Sequence, residues 1–448
     1  MALTGIEIFK KLPKTNCGEC GVPTCLAFAM KLAAGQAELA ACPHVSEEAK
    51  AELAEASAPP IRPVTIGVGD EALTVGGETV LFRHEKTFVN PPGIAILISD
   101  TMDDAEVDAR LKKLEELQYD RVGLTLRANL VAAKCDSGDS AKFEALVKRI
   151  VDGTKIGIVL ACEKPDVLAA AVKACADRRP LLYAATKETV DAMADLAKEN
   201  SCPLAVRAAN LSELSELAEK LANAGVKDLV LDPGSRRLRD AFEDEIIIRR
   251  SALMKKFRPL GFPTITFPCE MTDDPMKEVL IAAAFIAKYA GIIVLSDLSG
   301  ESLFPLLLAR MNIYSDPQRP MATKEGIYEI GGPGEDSPVL VTSNFSLTYF
   351  IVMGEIETSR VPTWLLVKDT EGLSVMTAWA AGKFVADAVA PLVRKSGIAD
   401  KTKHKKLIIP GYAAAISGEL EEELPDWEIQ IGPREAAHIP AFLKQWKP

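Results

Sequence analysis

The chain has no apolar run approaching the ~20 residues that a membrane-spanning helix needs. Its opening, MALTGIEIFKKLPK, holds neither the apolar stretch nor the small-residue cleavage site of a secretory leader. A cytoplasmic setting with no membrane role is therefore expected. Aromatics are scarce, 6% of 448 residues, which leaves Ala, Val, Leu and Ile to build the core. Histidine is scarcer still: His44, His84, His404 and His438. There is no G-x-G-x-x-G and no P-loop, so neither a dinucleotide nor a nucleoside triphosphate is signalled. Positive charge is in deficit, and a net charge of −11 excludes a general nucleic-acid binder. Nine cysteines in so long a chain do not form a disulfide framework; they read as reduced thiols or metal ligands. What is present, 48% apolar and 26% charged residues, is ordinary for a globular chain. At ~150 residues per domain the length predicts about three domains.

Four of the cysteines crowd together: Cys17, Cys20, Cys25 and Cys42, spelling C-x2-C-x4-C-x16-C. Gly18, Gly21 and Pro23 loosen and turn the loop that carries the first three, so backbone N–H groups can approach bound sulfur. LAFAMKLAAGQAEL then forms a helix that returns the chain to Cys42, and Pro43 follows that last ligand as in many ferredoxin-type runs. A structural zinc would also accept four thiolates, but zinc sites more often pair two short C-x2–4-C units. A [4Fe–4S] cluster is the favoured reading. Cys162, Cys202 and Cys269 lie in or beside strand-like runs and read as small core hydrophobes.

Prolines in ASAPPIRP, Ala56–Pro63, stop the helix SEEAKAELAEA and stiffen a connection. VTIGVGDEALTVGGETVLF then alternates as a β-hairpin does. From Ile94 a series of apolar runs begins: IAILISD, RVGLTLR from Arg121, KIGIVLAC from Lys155, PLLYAAT from Pro180, CPLAVRA from Cys202, DLVLDPG from Asp228, PTITFPC from Pro263 and GIIVLSD from Gly291. Amphipathic helical stretches separate them. Eight such strands close a parallel (β/α)8 barrel, with a doubly wound sheet as the alternative. Asp100, Arg127, Asp232, Glu270 and Asp297 fall at strand C-termini, where barrel enzymes keep their sites. A Gly/Pro-rich connection, Ser315–Pro338, precedes four further strands: VLVTSNF, WLLVKD, KKLIIPGY and WEIQIGP. The expected division is a cluster domain at 1–58, a linker at 59–63, a barrel at 64–314, a linker at 315–338 and a small doubly wound, Rossmann-like domain at 339–448.

In such a sheet ligands bind beyond the strand C-termini. The loops there read TSNFSLT, KDTEGLSVMT, PGYAAAISGELEEELP and IGPREAAH. Singly, each is an ordinary capped turn. All four facing one edge is less trivial, because helix N-termini there offer backbone N–H groups to a phosphate- or amide-rich ligand.

Together these parts resemble the large subunit of the corrinoid iron–sulfur protein of the reductive acetyl-CoA pathway, over essentially the whole chain. NCGECGVPTCLAFAMKLA is the most specific segment; TSNFSLTYF, EGLSV, PGYAAAISGELEE and GPREA resemble the family's corrinoid-contacting loops. The resemblance implies a methyl carrier. A methyltransferase would deliver the methyl of methyl-tetrahydrofolate (or of the methanogen pterin) to Co(I), and acetyl-CoA synthase / CO dehydrogenase would receive it. The [4Fe–4S] cluster, fed by a low-potential electron donor, would rescue Co(II). A smaller barrel subunit would complete a heterodimer, and this chain's own barrel would be scaffold rather than catalyst, with no catalytic residue of its own. The corrinoid contacts implied are Thr342, Asn344 and Thr348, then Gly372, Leu373, Ser374 and Val375, then Gly411, Tyr412 and Ala413, then Arg434 and Glu435. No histidine stands in a D-x-H-x-x-G loop, so a base-off cobalt without a protein ligand is expected; His404, in KTKHKK, reads as solvated. Two other classes stay open: an iron–sulfur electron-transfer subunit of a redox complex, and a self-sufficient pterin-binding methyltransferase using the barrel acids.

Overall fold

The structure, a computed structural model, describes residues 5–33, 37, 39–46, 49–50, 53 and 58–448. The helix expected over 46–56 and the far half of that expected over 26–39 lie largely outside the described residues. The chain divides into two compact units, residues 1–81, 92–107 and 129–297 forming one and 82–91, 108–128 and 298–448 the other.

The first unit opens with helices Gly5–Lys11 and Cys25–Ala33, packed around Ile8, Leu12, Phe28 and Ala29. Strands β1 (Val64–Ile66) and β2 (Leu73–Val75) pair antiparallel. The chain turns between them at Gly67–Ala72, whereas Gly76 and Gly77, both at positive φ, end the second strand. Strand β3 (Gly93–Ser99) starts the barrel; β4 (Tyr119–Arg121) and β5 (Leu124–Leu126), a second hairpin, fall in the segment assigned to the other unit. The barrel continues with β6 (Leu130–Lys134), β7 (Gly157–Ala161), β8 (Leu181–Ala185), β9 (Leu204–Arg207), β10 (Leu229–Asp232), β11 (Ile265–Thr266) and β12 (Ile292–Leu295). All neighbours are parallel, and a bridge from Leu231 to Thr264 joins the two ends of the sheet. Helices between strands start at caps the sequence supplies: Asp139, Asn210 and Asp274 each accept backbone N–H bonds.

The barrel interior is filled by Ala132, Val159, Leu181, Ala205, Val230, Ile265 and Val294. Val64, Ile66 and Val75 of the first hairpin join that core. The hairpin fits because β3 and β7 begin with Gly93 and Gly157; a Cβ on Gly93 would meet Leu73 at 2.4 Å.

One expected barrel strand was misplaced. RVGLTLR from Arg121 forms the β4–β5 hairpin, turning at Val122 and Gly123, both at positive φ as a two-residue hairpin turn requires. The barrel strand is the Ala-rich LVAAK that follows, so Lys134, not Arg127, stands at its C-terminus. The expected linkers are also built into the fold. Arg62 N–H donates to Gly261 O and the Arg258 guanidinium reaches Ala58 O and Pro59 O, so 59–63 is bonded down. Within 315–338, strand β13 (Gly326–Ile330) pairs antiparallel with β15.

The second unit is built on a five-stranded sheet: β13, β14 (Val339–Ser343), β15 (Thr363–Lys368), β16 (Lys406–Ile409) and β17 (Glu428–Ile431), in the order 13-15-14-16-17. The last four are parallel. Val341, Leu366 and Leu407 pack against helix Ala386–Lys395 on one face, and Leu340, Leu365 and Ile408 against helices Ser346–Ser359 and Ile439–Gln445 on the other. Helices on both faces make this a doubly wound domain, as the sequence indicated.

Candidate functional site

In the parallel part of that sheet the strand order reverses between β14 and β16, where crossovers leave toward opposite faces and a crevice opens. Only Leu340 and Ile408 pair across this boundary. A cavity of about 240 Å3 lies there, floored by Leu340, Val341, Ile408 and Ile409. Six expected residues line it: Thr342, Thr348, Ser374, Val375, Tyr412 and Arg434.

The floor is apolar with one exception. Thr342 Oγ1 is buried and finds no hydrogen-bond partner, and Ser343 Oγ beside it is equally orphaned. Leaving a buried hydroxyl unsatisfied costs about 1–3 kcal/mol. Two such groups at the end of one strand, one lining a cavity, fit a ligand that brings polar groups of its own.

The other expected residues shape the loops. Asn344 does not line the cavity: its Oδ1 accepts from Thr370 N–H, Thr370 Oγ1 and Gly372 N–H, and its Nδ2 donates to Asp369. It holds the β15 loop in place. Gly372 sits at φ +76°, and a Cβ there would meet Pro320 O at 2.9 Å. Leu373 packs against the core, and Ala413 is buried within it. Gly411 lets the β16 and β17 loops cross; its Cβ would lie 2.6 Å from Gly432 O and 2.8 Å from Arg434 N. At the rim Tyr412 donates to Glu435 at 2.8 Å, and Arg434 lies over the Tyr412 ring. Sequence reasoning missed the apolar floor, whose signal was the strand-end run of Leu340 and Val341 with Ile408 and Ile409. His404 is half-buried rather than fully solvated. Its Nε2 meets Ser337 O, its Nδ1 accepts from Lys406 N–H, and Trp446 packs edge-on to its ring.

The cysteine motif forms a second site on separate secondary structure. Cys25 and Cys42 are buried, Cys20 is half-buried and Cys17 is exposed. Gly18 and Gly21 both adopt positive φ, and Gly21 N–H closes a turn onto Gly18 O. Asn16 Oδ1 caps Cys25 N–H at 2.8 Å, while Asn16 N–H donates to Cys25 Sγ at 3.4 Å. Among the described residues, the group that converges to single-ion spacing is Cys17, Glu19 and His44, not the four cysteines.

The barrel mouth holds a polar cavity of about 360 Å3 lined by Lys134, Glu163, Arg207 and Glu270. Its charges satisfy one another. Asp232, fully buried, accepts from Tyr183 Oη at 2.6 Å and from Arg236; Arg236 also reaches Glu270 at 2.5 Å, and Glu270 meets Lys134. Burial and the neighbouring Asp232 charge hold the Tyr183 phenol well above its usual range. Burial works to lower the Arg236 pKa, but its bonds to Asp232 and Glu270 outweigh that and raise it. Asp100 is absorbed by Asp136 N–H, Ser137 N–H and the Ser137 hydroxyl.

The family model for the CO dehydrogenase/acetyl-CoA synthase delta subunit matches residues 63–443, and an Fe–S cluster model matches 12–44. The corrinoid/iron–sulfur protein large subunit of Moorella thermoacetica is 48% identical over 444 residues, 99% of each chain. The acetyl-CoA decarbonylase/synthase gamma subunit of Methanopyrus kandleri is 37% identical, across 99% of this chain and 98% of that one. The gamma subunit from Archaeoglobus fulgidus is 36% identical with the same coverage. Agreement from end to end, cluster segment included, means that the chain belongs to the family of corrinoid/iron–sulfur protein large subunits and acetyl-CoA decarbonylase/synthase gamma subunits.

Proposed function

We propose that the chain is the methyl-carrying large subunit of a corrinoid iron–sulfur protein, with a [4Fe–4S] cluster on Cys17, Cys20, Cys25 and Cys42 and a corrinoid at the C-terminal crevice. The observation that carries this is the cavity at the strand-order reversal, with Thr342 Oγ1 buried and unpartnered beside it. When bound, the corrinoid supplies the cobalt that takes a methyl group from methyl-tetrahydrofolate through a methyltransferase and yields it to acetyl-CoA synthase, and the cluster supplies the electron that restores Co(I).

The chain's own residues bind and orient. Thr342, Thr348 and Ser374 offer hydroxyls to the corrin's peripheral amides. Gly372 and Gly411 permit the close loop approach on which that edge depends. Asn344 fixes the β15 loop. Tyr412, Glu435 and Arg434 form a polar rim, beside which Met376, Trp379 and Ile431 are exposed for the smaller barrel subunit. Base-off cobalt without a protein ligand is part of this reading, and nitrogen splitting in the Co(II) resonance would contradict it. The cluster domain (1–58) and corrinoid domain (339–448) then act through separate folds.

The test is metal analysis of the chain purified anaerobically with its partner subunit. Cys20→Ala should lose iron, keep cobalt, and still accept methyl groups once its cobalt is reduced chemically. Loss of cobalt together with iron would refute the separation of the two sites.

A further inference from the structure

Two thiols stand together at the barrel mouth, beside the charges that neutralise one another there. Strands β6 and β7 run parallel, with Lys134 level with Ala161. The pairing carries one step past the strand ends: Cys135 N–H donates to Ala161 O at 3.0 Å, which sets Cys135 level with Cys162. Neighbouring strands lie about 4.8 Å apart, inside the roughly 4.4–6.8 Å Cα separation that a disulfide spans. Residues level with each other on parallel strands point to the same face, and both cysteines line the polar cavity of the mouth. The Cys135 thiol is within hydrogen-bond reach of the Cys162 sulfur. Both are free, Cys135 half-buried and Cys162 buried. Cys175 is the contrast: it is fully buried in the packing, and its thiol turns to Ala171 O. Among the described residues, no third His, Cys, Asp or Glu comes within single-ion spacing of both mouth sulfurs, so the pair is not the core of a metal site.

We propose that Cys135 and Cys162 are a redox couple, a dithiol that closes to a disulfide across β6 and β7 on reaction with a small-molecule disulfide. Cys135, the more accessible of the two, attacks one sulfur of the small disulfide and releases a small thiol. Cys162 then attacks the Cys135 sulfur of the mixed disulfide and releases the second. Two protein thiols are oxidised, the small disulfide is reduced to two thiols, and the protons lost by the cysteines end on those thiols. Burial pushes the Cys135 thiol up to about 12 and raises that of Cys162 as well. That slows the exchange, because the thiolate is the attacking form, but it does not oppose the end point, since dithiol and disulfide are both uncharged. The bond uses none of the residues assigned to either cofactor, so the couple stands or falls apart from the proposed function.

The full chain, purified anaerobically with its partner subunit, is incubated at about pH 8.5 with oxidised glutathione, then alkylated and digested with trypsin. Cleavage separates the two cysteines into peptides 135–142 and 156–173. Mass spectrometry should show these two joined, lighter than their sum by a pair of hydrogen atoms, with their alkylated forms lost and then restored by dithiothreitol. Cys162→Ser should stop the reaction at a glutathione adduct on Cys135, whereas Cys135→Ser should leave Cys162 reduced. A glutathione adduct on Cys135 with Cys162 still free in the unmodified protein overturns the proposal without reference to any variant. So do two thiols that stay reduced under a large excess of oxidised glutathione, and so does a bond from either cysteine to a different one.

Discussion

The barrel mouth and the C-terminal crevice are built from the same kind of parts, the C-terminal ends of parallel strands, yet they solve opposite problems. In the barrel, Asp232 and Glu270 at or just beyond strand ends are met by Tyr183, Arg236 and Lys134. At the crevice, the Thr342 hydroxyl, and that of Ser343 next to it in the strand, find no hydrogen-bond partner. A closed barrel brings all its strand ends to one ring, so charges can neutralise in place. An open sheet whose strand order reverses leaves a gap that no neighbouring strand fills. Polar residues at strand ends are thus poor evidence of function until their partners are counted.

The comparison breaks most sharply at Gly411. Gly411→Val would force apart the β16 and β17 loops, because its Cβ already falls 2.6 Å from Gly432 O. Cobalt per protein should drop below about a tenth, since the loops that frame the ligand can no longer cross, while iron per protein stays constant. Unchanged cobalt would show that the crevice is not the corrinoid site.

The barrel should respond in stability instead. Asp232→Ala leaves Arg236 and Tyr183 facing a buried void, a loss of about 3–5 kcal/mol when one partner of a buried pair is removed. The urea midpoint should fall while the ratio of cobalt to iron in folded protein holds. A fall in cobalt loading alone would give the mouth a role that its closed network argues against.

Much of this arrangement was legible in the sequence. Strand counts, the N-terminal motif and the C-terminal loops are local patterns with strong period or spacing. The misplaced barrel strand shows the limit: RVGLTLR alternates better than LVAAK, but alternation marks a half-exposed hairpin, and Leu124 is indeed exposed. A strand buried on both faces needs no alternation, and alanines suffice inside a crowded barrel. Strand β13 was hidden among glycines and prolines because an edge strand needs few apolar residues. Site chemistry was harder to read. Asn344 and Thr342 looked equivalent in TSNFSLT, and only the fold separates a loop-holding amide from an orphaned hydroxyl.

Glu245 sharpens the contrast from the barrel side. It is fully buried, accepts from Thr264 at 2.8 Å, and leaves its other oxygen without a partner. Burial pushes its pKa up to about 8, against the opposing pull of the Thr264 bond. The folded state therefore holds a proton that the unfolded chain releases above its ordinary value of 4.5. Stability contributed by this group is full below that value and is lost as pH rises toward about 8. Glu245→Gln keeps the Thr264 bond and removes the titration. Its melting temperature should exceed the parent's by a few degrees at pH 8 and converge with it near pH 5. A constant difference across that range would mean the carboxyl is not protonated in the fold.

The smallest effect is the most diagnostic, because it should carry opposite signs in the free and loaded protein. Thr342→Val preserves the β-branched shape and deletes the orphaned hydroxyl. In corrinoid-free protein nothing is lost, since Thr342 Oγ1 has no partner there, and removing an unsatisfied buried group should raise stability by up to about 1 kcal/mol. In the loaded protein the same change removes a hydrogen bond to the ligand, so corrinoid should dissociate about five- to tenfold more readily, the equivalent of about 1 kcal/mol. Thermal melts of the free protein and a cobalt-retention titration measure the two signs separately. Were the variant less stable when free and equally tight when loaded, the hydroxyl would have an internal partner, and the crevice would resemble the barrel mouth after all.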